Sequence, residues 1–442
     1  MKKPSILKPP FTTRTKAAWS VLALSACLAF GSAQAADQGP RHHAKGEYDT
    51  VTAIYEVVKG DELIVIGERF EVPLDTLKAE NDLSSDVIKP GQKLTITTGA
   101  PTVSAPVSAP LSAPLSAQKK QPELAADAPL PSWNEGPAKQ AIMAFIKETT
   151  TQGSPQFVPP AERIATFDQD GTLWVEHPMY SQVVYCLDRV PAVVKAKPEL
   201  AQVEPFKTVL SGDREAIAKL STDDLFKILA ATLTGMDVDE FKAEAEEWLA
   251  TAKNARWDQL YTDLTYLPMQ EVLEYLRANG YKTYIVTGGG QDFVRVYSER
   301  VYGIPPEQVV GSAGETKYGY RKDGTPFLTK EPKLLLDDNN AGKPEGIHLM
   351  IGRRPHAAFG NSTGDRQMLE YTKAGDGARL SMILLHDDAK REYAYGPAQG
   401  LPDTRVGTFT QALYDEAQKQ GWVFISMKND WNRIFAFEEG QD

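Results

Sequence analysis

Residues 163–173 read Arg163-Ile164-Ala165-Thr166-Phe167-Asp168-Gln169-Asp170-Gly171-Thr172-Leu173. A short apolar run bounded by polar residues is the pattern of a buried strand in a parallel sheet. It ends in two acids spaced two apart, followed by Gly-Thr. At the carboxyl end of such a strand, that spacing sets Asp168 and Asp170 over the crevice where open α/β sheets take ligands. One carboxylate can then attack while the other moves protons, the division of labour that stepwise phosphoryl transfer needs. An isolated Asp-x-Asp is also common as a plain turn cap, so the reading depends on motifs farther along the chain.

Three such stretches occur in order. Lys282-Thr283-Tyr284-Ile285-Val286-Thr287-Gly288-Gly289-Gly290 predicts a strand ending in a hydroxyl and three glycines, ahead of a helix beginning near Gln291. Thr287 can donate to a phosphoryl oxygen, and the bare amides from Gly288 onward add a positive helix terminus beside it. Taken alone, the glycines fit a tight turn as well. Asn339-Asn340-Ala341-Gly342-Lys343-Pro344-Glu345-Gly346-Ile347 is a polar loop whose Lys343 can neutralise charge on a nucleophile and a transferring phosphoryl group. Lys333 competes for that role; the distance from Lys343 to the last motif suits one helix and one strand. That motif is His356-Ala357-Ala358-Phe359-Gly360-Asn361-Ser362-Thr363-Gly364-Asp365, a strand into a polar loop with Asp365 opening the next helix. Mg2+ takes oxygen donors, commonly a few carboxylates with water and substrate phosphate. Asp168, the carbonyl of Asp170, Asn361 and Asp365 would supply them.

Together the four motifs resemble the haloacid dehalogenase-like (HAD) superfamily, and more narrowly its phosphoserine-phosphatase-like branch, over roughly residues 160–385. The resemblance implies a Rossmann-like α/β core, with Asp168 as nucleophile and Asp170 as general acid and then base. Thr287, Gly288 and Lys343 would hold the phosphoryl group, and Asn361 with Asp365 would form the metal end. Asn361 stands where many relatives have an aspartate; a neutral amide there weakens metal affinity or throws more of the binding onto Asp365. The acid at 170 separates reactions within the superfamily. A halide leaves without a proton and a departing alcohol does not, so Asp170 argues for phosphate ester hydrolysis.

About a hundred residues separate the first two motifs, far more than an ordinary connection. Helical periodicity over 224–232 and 238–249 predicts a mostly helical cap, approximately residues 178–270, over the site. Trp174, Glu176, His177 and Met179 come soon after the nucleophile and either face substrate or pack the cap hinge. Asp323-Gly324 predicts a hairpin turn within 318–328. His386-Asp387-Asp388 closes an apolar strand over 380–385 and reads as a solvated strand end, with a metal role as the alternative.

Ahead of this lies a Pro/Ala/Ser-rich stretch, residues 99–133, with the repeat Ser104-Ala105-Pro106, Ser108-Ala109-Pro110, Ser112-Ala113-Pro114. It has too few apolar anchors to fold and reads as an extended spacer between residues 48–98 and 134–442. In the front segment, Tyr55-Glu56-Val57-Val58 predicts a strand, and Asp61 caps a helix carrying Leu63, Ile66 and Phe70. Pro73 opens a second helix with Leu74 and Leu77, which Asn81 closes. Pro90-Gly91 then turns into the strand Lys93-Leu94-Thr95-Ile96. This strand-helix-helix-strand order, a small α+β fold, resembles a LysM module over residues 51–98. Glu62 and Gly67 stand where that family more often has Thr and Ala. The resemblance implies binding of N-acetylglucosamine glycans such as peptidoglycan.

The chain has 442 residues, too many for one ordinary domain, and a net charge of -11, which disfavours nucleic acid and anionic lipid as partners. Lys2, Lys3, Lys8, Arg14 and Lys16 precede an apolar run from Ala17 to Phe30, and Ala33-Gln34-Ala35 comes after it. This reads as a signal peptide, residues 1–35, cleaved after Ala35, giving a protein exported to the periplasm or cell envelope without a transmembrane segment in the mature chain. A rival reading is Leu24-Ser25-Ala26-Cys27, which resembles the box before a lipid-modified cysteine, although the apolar run continues past it. Cleavage leaves Cys186 as the sole cysteine, so no intramolecular disulfide forms; it reads as a buried apolar residue. The expectation is thus an exported Mg2+-dependent phosphomonoesterase tethered to the wall. Its alternatives are a phosphotransferase or mutase using the same aspartyl phosphate, and a wall-binding protein without catalysis.

Overall fold

The computed structural model describes residues 47–49, 54–59, 61, 63, 64, 66, 72, 74–96 and 129–438. The expected signal peptide, Cys27, the Ser-Ala-Pro repeat, Gly60, Glu62, Gly67, Phe70 and Pro73 lie outside the described residues. The chain divides into two compact units, Met1–Gln118 and Lys119–Asp442.

In the first unit, β1 (Glu47–Asp49) pairs antiparallel with β2 (Ile54–Glu56), which pairs antiparallel with β3 (Lys93–Thr95). Residues 63, 64 and 66 are helical, and a second helix spans Leu74–Glu80. Tyr55, Leu63, Ile66, Leu77, Leu94 and Ile96 are buried against one another, the apolar face that the spacing predicts. Asp61 accepts from the Tyr55 hydroxyl at 2.7 Å and the Val58 amide at 2.9 Å, fixing the turn out of β2. Asn81 donates to the carbonyls of Leu77 and Thr95 and accepts from the Thr95 amide at 2.6 Å, so it closes the helix and binds it to β3. The strand β1 was not foreseen from the sequence.

The second unit is built on β4 (Ile164–Phe167), a small hairpin of β5 (Lys253–Asn254) and β6 (Gln259–Leu260), then β7 (Lys282–Gly290), β8 (Val309–Tyr320), β9 (Pro326–Leu336), β10 (Ala357–Gly360), β11 (Leu380–Leu385) and β12 (Val423–Ser426). Its main sheet has the order β12-β11-β10-β4-β7-β8-β9 and is parallel except at the β8–β9 edge. Every residue of β4, β10 and β11 is buried, as their mainly apolar runs require of central parallel strands. Phe167 and Phe359 stack at 4.4 Å across β4 and β10. The chain runs outward from β4 to β7 and β8 on one side, then returns to β10, β11 and β12 on the other. The carboxyl end of β4 is therefore a topological switch point, where an open α/β sheet leaves a crevice.

The insertion before β7 is helical: Ser181–Ala196, Phe206–Leu210, Arg214–Ala218, Thr222–Leu233 and Val238–Thr251. Ser221 and Asp224 form a reciprocal capping box and Asp237 caps the last helix, which is why these two segments were legible. Tyr185 and Trp248 pack on Phe293 of the core with ring centroids 5.3 and 6.1 Å away. The β8–β9 hairpin turns at Asp323-Gly324 but is far longer than the sequence suggested, and it grips the cap. The Lys330 amide donates to Met236 at 2.9 Å, the Gly235 amide donates to Lys330 at 2.7 Å, and Arg321 pairs with Asp237. Cys186 is fully buried, and burial pushes its thiol up to about 12. Among the described residues no helix is long and apolar enough to cross a membrane.

Candidate active site

The β4 ladder continues one residue past the strand, because the Asp168 amide donates to Phe359 at 2.9 Å. The chain then folds over itself: Leu173 donates to Gln169 and Gly171 to Trp174, both at 2.9 Å. Gly171 takes φ +75, a left-handed conformation that costs other residues strain, and a Cβ there would collide with Asn361 and Glu176. The turn thereby places Asp168 at the floor of the crevice. Asp170 stays more open and accepts from the Trp174 indole at 2.7 Å.

Lys343 is 2 % exposed and reaches this floor from the polar loop after β9. Its ammonium donates to Asp168 Oδ1 at 2.5 Å, Asp365 Oδ1 at 2.6 Å and the Val286 carbonyl at 2.8 Å. Residues from β4, β7, the 339–347 loop and the post-β10 loop thus meet at one nitrogen. Burial pushes the ammonium down, but the attraction of Asp168 and Asp365 outweighs it and holds Lys343 above its ordinary value. Lys333, the sequence competitor, is instead an exposed partner of Glu315.

Thr287 is buried beside this clamp, and its hydroxyl oxygen accepts from the Gly289 amide at 3.0 Å, which leaves its proton to donate elsewhere. The Gly290 amide is taken by Gln182 of the first cap helix at 2.7 Å. The Gly288 carbonyl accepts from Ser312 at 2.9 Å. The helix after the glycines is a short one, Gln291–Arg295, so the anion-attracting groups here are the hydroxyl and local amides more than a long helix terminus.

Asp365 commits both oxygens. One takes Lys343, and the other accepts from the amides of Asn361 at 2.9 Å and Ser362 at 3.0 Å. Gly360 allows this close approach, since a Cβ there would lie 2.5 Å from the Asp365 Cβ. Asn361 donates through Nδ2 to Glu176 at 2.7 Å and accepts through Oδ1 from Thr172 at 3.3 Å. Tyr395 donates to the same Glu176 oxygen at 2.9 Å.

Of the residues flanking the nucleophile, Trp174 is core, stacked on Tyr297 at 4.6 Å, and His177 lies 3.8 Å from the Tyr395 ring. His386 departs from its expectation as a solvated strand end: it is 3 % exposed. Residues 386–395 fold back over the sheet edge, with Asp387 bridged to Ala394, and this covers it. Its Nε2 lies 2.7 Å from the Gly171 carbonyl, which can only accept, and its Nδ1 lies 3.2 Å from Glu392. Sequence reasoning missed Tyr395, Glu392 and the buried Asp338, for none of which a local spacing gives a signal.

The charge balance is lopsided. Burial raises Asp168 to about 8, with Asp365 adding to the rise and Lys343 pulling against it. Burial likewise raises Asp170 to about 6 and Asp338 to about 7, and it holds Glu176 well above the usual carboxylate range. One buried ammonium serves several acids. The crevice is therefore suited to a further cation, and its donors are oxygens. Among the described residues no three His, Cys, Asp or Glu side chains are arrayed to hold a metal alone. A cation here would draw on the Asn361 amide and the Asp170 carbonyl as well as on Asp168.

Residues 165–370 match the family of haloacid dehalogenase-like hydrolases, and residues 55–97 match the LysM domain. No match is found among curated proteins. Similar solved structures include a conserved protein of unknown function from Anaerococcus prevotii, at 15% identity and TM-score 0.39, covering 57% of this chain and 86% of that one. A protein of unknown function from Bordetella pertussis has 17% identity and TM-score 0.36 over 60% of this chain and 98% of that one. A phosphoserine phosphohydrolase-like protein from Francisella tularensis has 19% identity and TM-score 0.28, over 51% and 88%.

Proposed function

In a chain that carries a haloacid dehalogenase-like hydrolase domain behind a LysM domain, we propose that the crevice at β4 hydrolyses a small phosphomonoester through an aspartyl phosphate on Asp168. The observation that carries this reading is the Lys343 ammonium held between Asp168 and Asp365 at the switch point of the sheet. Thr287 and the Gly288 amide bind the phosphoryl oxygens, and Lys343 balances their charge. An Asp168 oxygen forms a bond to phosphorus as the ester P–O bond breaks, and Asp170 gives its proton to the departing alcohol. Asp170 then takes a proton from the water that attacks the aspartyl phosphate, which releases inorganic phosphate and restores Asp168.

Mg2+ fits the oxygen donors and the excess of negative charge, with Asp168, the Asp170 carbonyl and Asn361 to hold it. Asp365 stands behind them, committed to Lys343 and the loop amides. When bound, the ion supplies positive charge against the phosphoryl oxygens. We further propose export and attachment of the enzyme to peptidoglycan through the LysM unit, for which the leader sequence and the family match are the support.

The mature chain should release phosphate from an aryl phosphate, lose that activity with chelator, and lose it in Asp168→Asn. Equal rates in both proteins would remove the mechanism. Sedimentation of the mature chain with purified peptidoglycan tests the tether; a chain that stays in the supernatant refutes it.

A further inference from the structure

Position 361 carries an amide at the cation end of the site, and the structure anchors that amide on a carboxyl group from elsewhere. Glu176 is 2 % exposed, and its Oε1 accepts from Asn361 Nδ2 at 2.7 Å and the Tyr395 hydroxyl at 2.9 Å. Both donors are neutral. The buried ammonium of Lys343 is committed to Asp168 and Asp365, and His386 faces Glu392. A buried carboxyl served only by neutral donors is costly, and apolar packing would fill the same space at less cost.

Two glycines from separate loops make room for it. A Cβ on Gly171, at φ +75, or on Gly407, at φ +65, would collide with Glu176 Oε1. An acceptor at one end of an amide also decides which way the amide faces, because a flipped Asn361 would set oxygen against oxygen. With Nδ2 anchored on Glu176, Oδ1 faces the nucleophile turn, where Thr172 Oγ1 lies 3.3 Å away.

We propose that Glu176 is a positioning residue for the cation end of the site, its carboxyl oxygen holding the Asn361 amide so that the amide oxygen faces the nucleophile turn. Partners that orient a ligand in this way are worth about ten- to a hundredfold in metal affinity. The inference rests on the reading of the crevice as cation-dependent. The test is Mn2+ binding to the mature chain followed by electron paramagnetic resonance, with thermal melting as the check of folding. Glu176→Leu, which removes the acceptor, should bind Mn2+ about tenfold or more weakly. Glu176→Gln keeps an oxygen that can accept from Asn361 Nδ2 and the Tyr395 hydroxyl, and should bind close to wild type. Unchanged affinity in a folded Glu176→Leu overturns the proposal and leaves the cation site standing. Equal losses in the two variants, or a Glu176→Leu that fails to fold with Glu176→Gln no better, assign Glu176 to packing alone and also overturn it. Wild type that binds no Mn2+ removes the cation-dependent reading and this proposal together.

Discussion

Asp338→Asn should change the pH dependence of stability by an amount that the structure sets. Asp338 is fully buried just ahead of the Lys343 loop, neither carboxylate oxygen accepts a well-formed hydrogen bond, and a Cβ on Gly346 would collide with its Oδ1. Burial raises it from 3.8 to about 7, with the Lys343 charge pulling back. The folded chain thus holds that proton more tightly than the unfolded chain. Its stabilising effect is full below the unfolded value near 4 and is lost as pH rises through about 7. A shift of roughly three units at about 1.4 kcal/mol each is worth about 4 kcal/mol. Asparagine does not titrate, so the difference in stability between Asp338→Asn and wild type should grow by that order between pH 4 and pH 8, in favour of the variant. Urea unfolding of residues 36–442 followed by tryptophan fluorescence reads this cleanly, because every tryptophan after Trp19 lies between Trp133 and Trp431, in the second unit. The slope is the readout, so any fixed packing cost of the amide cancels. A difference that stays level over that range refutes the burial argument.

Lys343→Met leaves Asp168 and Asp365 buried without their ammonium, and stripping one partner from such a cluster costs about 3–5 kcal/mol. The loss should appear in the same urea unfolding; a loss under about 1 kcal/mol at pH 7 contradicts the clamp. Burial raises Asp170 to about 6 against the pull of the Trp174 indole hydrogen bond, which Trp174→Phe removes. The basic limb of kcat/KM against pH, which reports the acid form in the free enzyme, should move upward; a downward or absent shift speaks against Asp170 as the acid.

What the sequence made legible was whatever a local period or a short motif encodes. β4, β10 and β11 are mainly apolar runs because both their faces are covered, and Asp168, Asp170, Asn361 and Asp365 come soon after β4 and β10. The Thr222–Leu233 and Val238–Thr251 helices announce themselves through Ser221, Asp224 and Asp237 at their starts. Contacts between distant segments leave no such trace. Asn361 meets Glu176 across 185 residues, and Tyr395 meets Glu176 across 219. His386 read as solvated because its two acidic neighbours suggest a surface turn. Asp388 and Asp387 do serve that turn, with Arg391 and Ser426, while the histidine between them and the strand points inward to the Gly171 carbonyl. The length of the β8–β9 hairpin escaped for the same reason, since its pairing with residues 235–237 of the cap is a property of two segments together.

The arrangement of charge ties these distant contacts to the proposed chemistry. A nucleophilic carboxylate must be ionised to attack, yet burial and Asp365 raise Asp168 to about 8, above neutral pH, despite Lys343 at 2.5 Å. A single ammonium shared between two carboxylates leaves the cluster one charge short. A divalent cation on the Asn361 side is the species that would lower Asp168 back into its reactive form, because opposite charge at close range favours the ionised carboxylate. Asp170, farther from Lys343 and more open, would keep enough of its raised pKa to carry a proton. Burial at 170 and opposite charge at 168 would thus separate the two acids into proton carrier and nucleophile, which is the division that residues 168 and 170 need if one is to attack the phosphoryl group and the other to release the alcohol.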